Sequence, residues 1–219
     1  LHETAAEVSD AIAETSNRPI QRMKELGILS PSLQAVHMTQ ITPQEMGELS
    51  QRQTHIAHCP ASNLKLASGF CPVSDLMSHH VNVALGTDGA ASNNNLDMIE
   101  EMKIAALMAK GMTGDASSLP VHQVIEMATI NGAKFLGLED KIGSLEPGKC
   151  ADMISVDLSA LKFQPMHNPA SDLLYAASGD QVCHVWIDGE HQLSNRTLTN
   201  MDTARVRANA RQWQAKILS

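Results

Sequence analysis

Three short apolar runs, each handing over to a helical stretch, constrain this chain more than anything else in it. Residues 33–37, 55–58 and 81–85 read as strands. The first is followed by Thr42-Pro43-Gln44-Glu45, a capping box with Pro at the first helical position, and the helix it starts runs to about Gln51. The second is followed by a helix over 72–79, the third by helices over 96–110 and 121–130. Strands separated by helices are connected by crossovers, which favours parallel pairing. Residues 1–3 read as the end of a further strand, entering a helix that Thr4 caps and from which Glu7 reaches back. Val8 and Ile12 share a face of that helix, and Pro19 restarts it, with Ile20, Met23 and Leu26 apolar up to Gly27. Four such units are half of a (β/α)8 barrel. The other half is expected upstream, so the chain is read as the C-terminal part of a longer polypeptide.

The texture changes after Gly137. A turn-rich stretch over 141–149 precedes a strand over 151–158 and another over 182–187, which ends at Asp188-Gly189, a pair suited to a type I′ hairpin. A closing helix over 201–218 offers Val206, Trp213 and Ile217 as anchors. The expected fold class is therefore α/β, half of a parallel barrel over 1–137 with a small β-sandwich-like accessory domain over 138–219. Only 3% of the 219 residues are aromatic against 43% hydrophobic, so the core must be aliphatic, with Met filling gaps. The net charge of −8 and the lack of a basic run argue against nucleic acid or an anionic membrane surface as partner. No apolar run reaches the roughly 20 residues that span a bilayer. Cys59, Cys71, Cys150 and Cys183 form no C-x-x-C pair, which points to reduced thiols in a cytoplasmic protein.

On a parallel barrel the strand C-termini face the active site. Glu3, His37 and Asp88 each stand at such an end. Taken singly, each has a plainer reading: a surface Glu beside a helix N-terminus, a capping His, and a turn-forming Asp before Gly89. His55 and His58 lie three apart in one strand and so point to opposite faces, which gives His58 a structural or supporting role rather than a shared metal. Asn63 and Lys65 are expected to shape the loop after it. The remaining histidines read as solvated or satisfied in the core.

The order of these groups is more specific than any one of them. Glu3, then His37, then His58-Cys59-Pro60-Ala61-Ser62-Asn63, then Thr87-Asp88-Gly89, at successive strand ends, resembles an amidohydrolase barrel. H-E-T-A-x-E-V, H-C-P-A-S-N-L-K-L and L-G-T-D-G-A-A-S-N-N are most similar to the S-adenosylhomocysteine/5′-methylthioadenosine deaminase branch. I-G-S-L-E-P-G-K-x-A-D is similar to that family's return into its β-sandwich. The resemblance implies that Asp88 is a metal ligand, that Glu3 shuttles a proton, and that His37 holds the attacking water. The remaining ligands, a His-x-His pair and a His just before Leu1, are expected upstream. By that count His2 is not the ligand, and a site-lining or substrate-contacting role is left open to it. His37-Met38-Thr39-Gln40 departs from the H-C-V-H that relatives often carry, which alters the pocket wall and not the His.

The resemblance further implies one zinc ion, with iron or manganese compatible with His and Asp ligands, a purine-type small-molecule substrate and a homodimer. Zinc lowers the pKa of its water to about 7. Asp88 would take a proton from that water, His37 would orient the nucleophile, and Glu3 would protonate the ring nitrogen beside the attacked carbon. Glu3 and Asp88 would thus also contact substrate. Three readings follow: deamination of an adenine-type nucleoside (5′-methylthioadenosine, S-adenosylhomocysteine or adenosine), of guanine or another amino-heterocycle such as a triazine, or a non-catalytic binding protein on the same barrel.

Overall fold

The computed structural model describes residues 1–218. Helix α1 (Ala5–Thr15) and helix α2 (Pro19–Glu25) lead into β1 (Gln34–Val36), α3 (Pro43–Gln51) and β2 (His55–His58). Then come α4 (Pro60–Lys65), α5 (Val73–Ser78), β3 (Val83–Leu85), α6 (Ala90–Asn93), α7 (Met98–Thr113), α8 (Val121–Ala128) and α9 (Ile130–Leu136). Strands β1, β2 and β3 form a parallel sheet in chain order, with Ala35 opposite Ile56 and Ile56 opposite Val83. Residues 1–3 lie alongside β1: Met38 N donates to Leu1 O (3.3 Å) and Gln40 N to His2 O (3.1 Å). The strand-and-helix alternation read from the sequence therefore holds. Strand β3 is buried at all three positions, as parallel strands covered on both faces are.

The capping box at Thr42 forms as expected. Thr42 Oγ1 accepts from Glu45 N (3.4 Å), and Glu45 Oε2 accepts from Thr42 N (2.9 Å). At Thr4 the hydroxyl accepts from Glu7 N, but the Glu7 carboxylate reaches one residue further back than expected, to Glu3 N at 2.8 Å. The stretch after β2, read as a loop, is the short helix α4. Pro60 at its first position starts it without needing an N–H, and its six residues are too few to show a helical period.

Beyond residue 137 the chain builds β4 (Met153–Val156), α10 (Pro169–Tyr175), β5 (Val182–Ile187), β6 (Glu190–Ser194), β7 (Thr197–Leu198) and α11 (Thr203–Leu218). The four strands form an antiparallel sheet in that order. The hairpin between β5 and β6 turns on Asp188 (φ 52°) and Gly189 (φ 77°), the two positive values a type I′ turn requires. Phe163 and Leu174 from this region pack into the same core as Ile20, Met46, Leu76, Val83 and Met127, and Gly179 N donates to Asp97 Oδ2 at 2.7 Å. One core thus draws on both sides of residue 137. The anchors expected on α11 are not anchors here: Val206, Trp213 and Ile217 are 49%, 63% and 79% exposed, and no residue of that helix is buried. An apolar period of this kind fixes a face and not a partner. All four cysteines are free. Among the described residues no helix is long and apolar enough to cross a membrane.

One titratable group sits wholly inside the sheet. Burial, with a smaller contribution from nearby His37, pulls the His58 imidazole down to about 3. The unfolded chain, with a pKa of about 6.5, then binds a proton that the folded chain does not. The contribution of His58 is complete above about pH 6.5 and is lost as pH falls towards 3. Between pH 8 and pH 5 it amounts to about 2 kcal/mol of stability. Unfolding titrations across that range, on the full-length polypeptide, should show this loss in the parent and not in His58→Leu. Parallel pH profiles would show instead that His58 takes up its proton as readily in the folded as in the unfolded chain. Replacing Thr42 by Ala should lower stability by about 1 kcal/mol in the same assay at neutral pH.

Candidate active site

The three groups picked out at strand ends are brought together by two neighbouring residues of α4. Ser62 Oγ donates to Asp88 Oδ2 at 2.7 Å. Asn63 Oδ1 lies 2.8 Å from His37 Nδ1. On the far side of the ring, His37 Nε2 is 3.7 Å from Glu3 Oε2. Ser62 and Asn63 are both buried, so their side chains have little freedom to offer other partners.

Backbone handedness aims the side chains. His37 (φ 75°) and Asp88 (φ 60°) both occupy the left-handed region, which non-glycine residues enter rarely. Each sits just past the end of its strand, so the reversal turns its side chain out of the alternating pleat. Because Asn63 Oδ1 is an acceptor, His37 carries its proton on Nδ1 and presents Nε2 as a base towards Glu3. The Ser62 hydrogen bond, helped by those of Ser92 and Gly89 N, holds the Asp88 carboxyl below the usual range against the opposing effect of burial. Asp88 is thus an ionised oxygen donor, fixed at one oxygen by Ser62 and at the other by Gly89 N at 2.7 Å.

Glu3 is held from the loop after α4. Ser68 Oγ donates to its Oε1 (3.1 Å), and Thr39 Oγ1 donates to its carbonyl (2.5 Å). That loop must pass close to Thr39 and Gln40. At Gly69 the φ of 131° is one that residues with a Cβ rarely adopt, and an added Cβ would lie 3.1 Å from Thr39 Cβ, so the close pass favours glycine.

His2 does not line this site. With φ at 56° it leaves the extended strand conformation, and its side chain is fully buried, so the site-lining or substrate-contacting role left open to it is not what this structure gives. Its Nε2 accepts from Ile20 N (3.2 Å), which leaves the proton on Nδ1, 3.3 Å from Gln40 O. Burial lowers its pKa, so its approach to Glu45 Oε1 at 3.5 Å is not an ion pair. The ion pair there is Arg18 with Glu45, whose Nε and Nη2 reach the two carboxylate oxygens at 2.9 and 3.0 Å. Burial pushes the Glu45 carboxyl up, but the hydrogen bonds from Arg18 and from the Thr42 backbone and hydroxyl bring it below its ordinary range.

His58 is also off the reacting face, buried in the core, with no hydrogen bond at Nδ1 among the described residues. Lys65 does shape its surroundings, tying α4 to α6 through Ala91 O at 2.9 Å and the Asn94 side chain. Ser62 and Ser68 were not singled out in the sequence. Ser62 sits inside the H-C-P-A-S-N stretch, next to Asn63, and that adjacency was the available signal. Among the described residues no three His, Cys, Asp or Glu side chains converge as a metal would need. Asp88 supplies one hard anionic donor and His37 a base beside it, so further metal ligands would have to come from outside these residues.

Comparison with known proteins sets this geometry in a family. The sequence model of the amidohydrolase family matches residues 1–191. A 5-methylthioadenosine/S-adenosylhomocysteine deaminase of Teredinibacter turnerae is 50% identical over 217 residues, covering 99% of this chain and 49% of the relative. A 5′-deoxyadenosine deaminase of Methanopyrus kandleri is 38% identical over 217 residues, 99% of this chain and 50% of its own length. The crystal structure of an adenosine deaminase from Xanthomonas campestris with bound zinc superposes with a TM-score of 0.97 at 50% identity, over 99% of this chain and 49% of that one. The chain spans about half the length of the curated relatives it matches. With a family match over 191 of its 219 residues, the chain belongs to the amidohydrolase family.

Proposed function

We propose that this chain is the C-terminal half of a (β/α)8 barrel, over 1–137, with a β-rich accessory domain over 138–219, and that the complete protein deaminates an adenine-type nucleoside with the help of one zinc ion. The observation that carries the reading is the clamp by α4: adjacent residues fix Asp88 and His37, while Glu3 faces the free nitrogen of His37. The deaminase names of the relatives, which agree on the adenine and differ in the 5′ substituent, favour this substrate class over other amino-heterocycles. The relatives' bound zinc is matched here by the chemistry of Asp88, an ionised hard oxygen donor.

Zinc, when bound, supplies a water acidic enough to act near neutral pH. Asp88, whose carboxylate is held ionised beforehand, would be the ligand this chain gives the zinc and would take up the proton of the attacking water. Through Nε2, His37 accepts a hydrogen bond from the nucleophile and fixes its direction of attack, and Asn63 keeps the ring in the tautomer this requires. Glu3 delivers a proton to the ring nitrogen next to the carbon under attack, which makes that carbon electrophilic. Ser68 fixes one Glu3 oxygen and leaves the other free for this transfer. The proton taken up by Asp88 would pass to the amino group, which leaves as ammonia, and the hydroxyl proton released as the carbonyl forms would restore Glu3.

The full-length enzyme, loaded with zinc, should change the ultraviolet absorbance of 5′-methylthioadenosine, S-adenosylhomocysteine or adenosine. Silence on all three with turnover of guanine moves the substrate, and silence on all four removes the reading. Asp88→Asn should abolish turnover; full activity in that variant with zinc still bound contradicts its role. Glu3→Gln should lower kcat by about 10²–10⁴-fold with zinc content kept. Loss of zinc with an unchanged rate per bound metal contradicts the shuttle.

A further inference from the structure

The mechanism leaves one buried carboxylate unused. Glu101 lies on α7 and is 1% exposed, on the same face as the buried Met102, Ala105 and Ala109. An acid on an apolar helix face is costly unless it is hydrogen-bonded. Its two oxygens each accept one hydrogen bond, and the two donors come from different parts of the site. Oε2 accepts from Ala61 N at 3.1 Å, and Ala61 immediately precedes Ser62 and Asn63. Oε1 accepts from Asn93 Nδ2 at 2.7 Å, and the same Nδ2 donates to Thr87 O at 2.7 Å, immediately before Asp88.

We propose that Glu101 is a positioning residue for the metal-binding edge of the site: one carboxylate on the long helix α7 fixes both the backbone that carries Asp88 and the turn that carries Ser62, the partner of Asp88. The inference deepens the proposed function and rests on it for its activity readout. Glu101 touches neither Asp88 nor His37. It acts by fixing the start of α4 from one oxygen and, through Asn93, the 87–88 peptide from the other. If either attachment slips, the Ser62–Asp88 hydrogen bond loses its alignment, and Asp88 loses the lone-pair direction it offers a metal.

The test compares the full-length parent with Glu101→Gln and Asn93→Ala. In Glu101→Gln one amide NH2 must face a donor, so one attachment is lost while the volume is kept. Asn93→Ala removes the link to Thr87 O without opening the core, and it decides the matter if Glu101→Gln fails to fold. Zinc affinity is read by competition with a chromophoric chelator, and kcat and KM are read on the nucleosides named above. A supporting group of this kind is worth about 10–100-fold, so zinc affinity or kcat should fall by that factor with KM little changed. A lower melting temperature with parental zinc affinity and kcat in both variants overturns the proposal and makes Glu101 a packing group. A Ser62–Asp88 contact unaltered in the crystal structure of Asn93→Ala overturns it equally. If the parent deaminates none of the nucleosides, the proposed function fails, and the zinc comparison and that crystal structure still decide the role of Glu101.

Discussion

The site depends on the backbone reversing its handedness where strands end. His2, His37, Met38 and Asp88 all have positive φ, between 54° and 75°, and none is glycine. Such conformations cost about 1–3 kcal/mol each and persist only where the surroundings impose them. Here the surroundings are identifiable. Ile20 N holds the His2 ring, Asn63 holds the His37 ring, and Ser62 together with Gly89 N holds the Asp88 carboxylate. In a regular strand those side chains would alternate between the faces of the sheet. The reversals let the chain place His37 and Asp88 towards common partners and tuck His2 beneath them.

Charge is sorted by the same arrangement. The imidazoles of His2 and His58 are inside and are held neutral by burial. Arg18 and Glu45 form the inner ion pair, and Glu45 is also the side chain that closes the capping box of α3. That one carboxylate ties the start of α2 to the start of α3, under the backbone that carries Glu3. Asp88 is kept ionised at the surface, where a cation can reach it.

Much of this was legible in the sequence because the signals were local. The capping box at Thr42, the hairpin at Asp188-Gly189 and the placement of His37 and Asp88 past the ends of β1 and β3 needed only short stretches and a period of two or 3.6. The misreadings have physical causes of their own. Helix α4 looked like a loop because a single turn started by Pro60 has no periodicity to display. His2 was left open as a site-lining group because nothing local in the sequence shows the positive φ with which its ring is buried. Trp213 and its neighbours were read as anchors because an amphipathic pattern does not say what it packs against. Glu101 was readable in principle, as an acid spaced four and eight residues from Ala105 and Ala109, but an apolar helix face draws the eye to its hydrophobic members.

The shared footing of Asp88 and His37 on Ser62 and Asn63 has a consequence for how such a site can change. Two groups held by consecutive residues of one short turn cannot be adjusted separately: a shift or a half-turn unwinding of that segment moves the acid and the base in the same stroke. Partial damage then weakens the acid and the base together rather than one of them alone. Variation that keeps the chemistry has to arise elsewhere, in walls such as Met38 and Thr39 that border the constellation without bearing it.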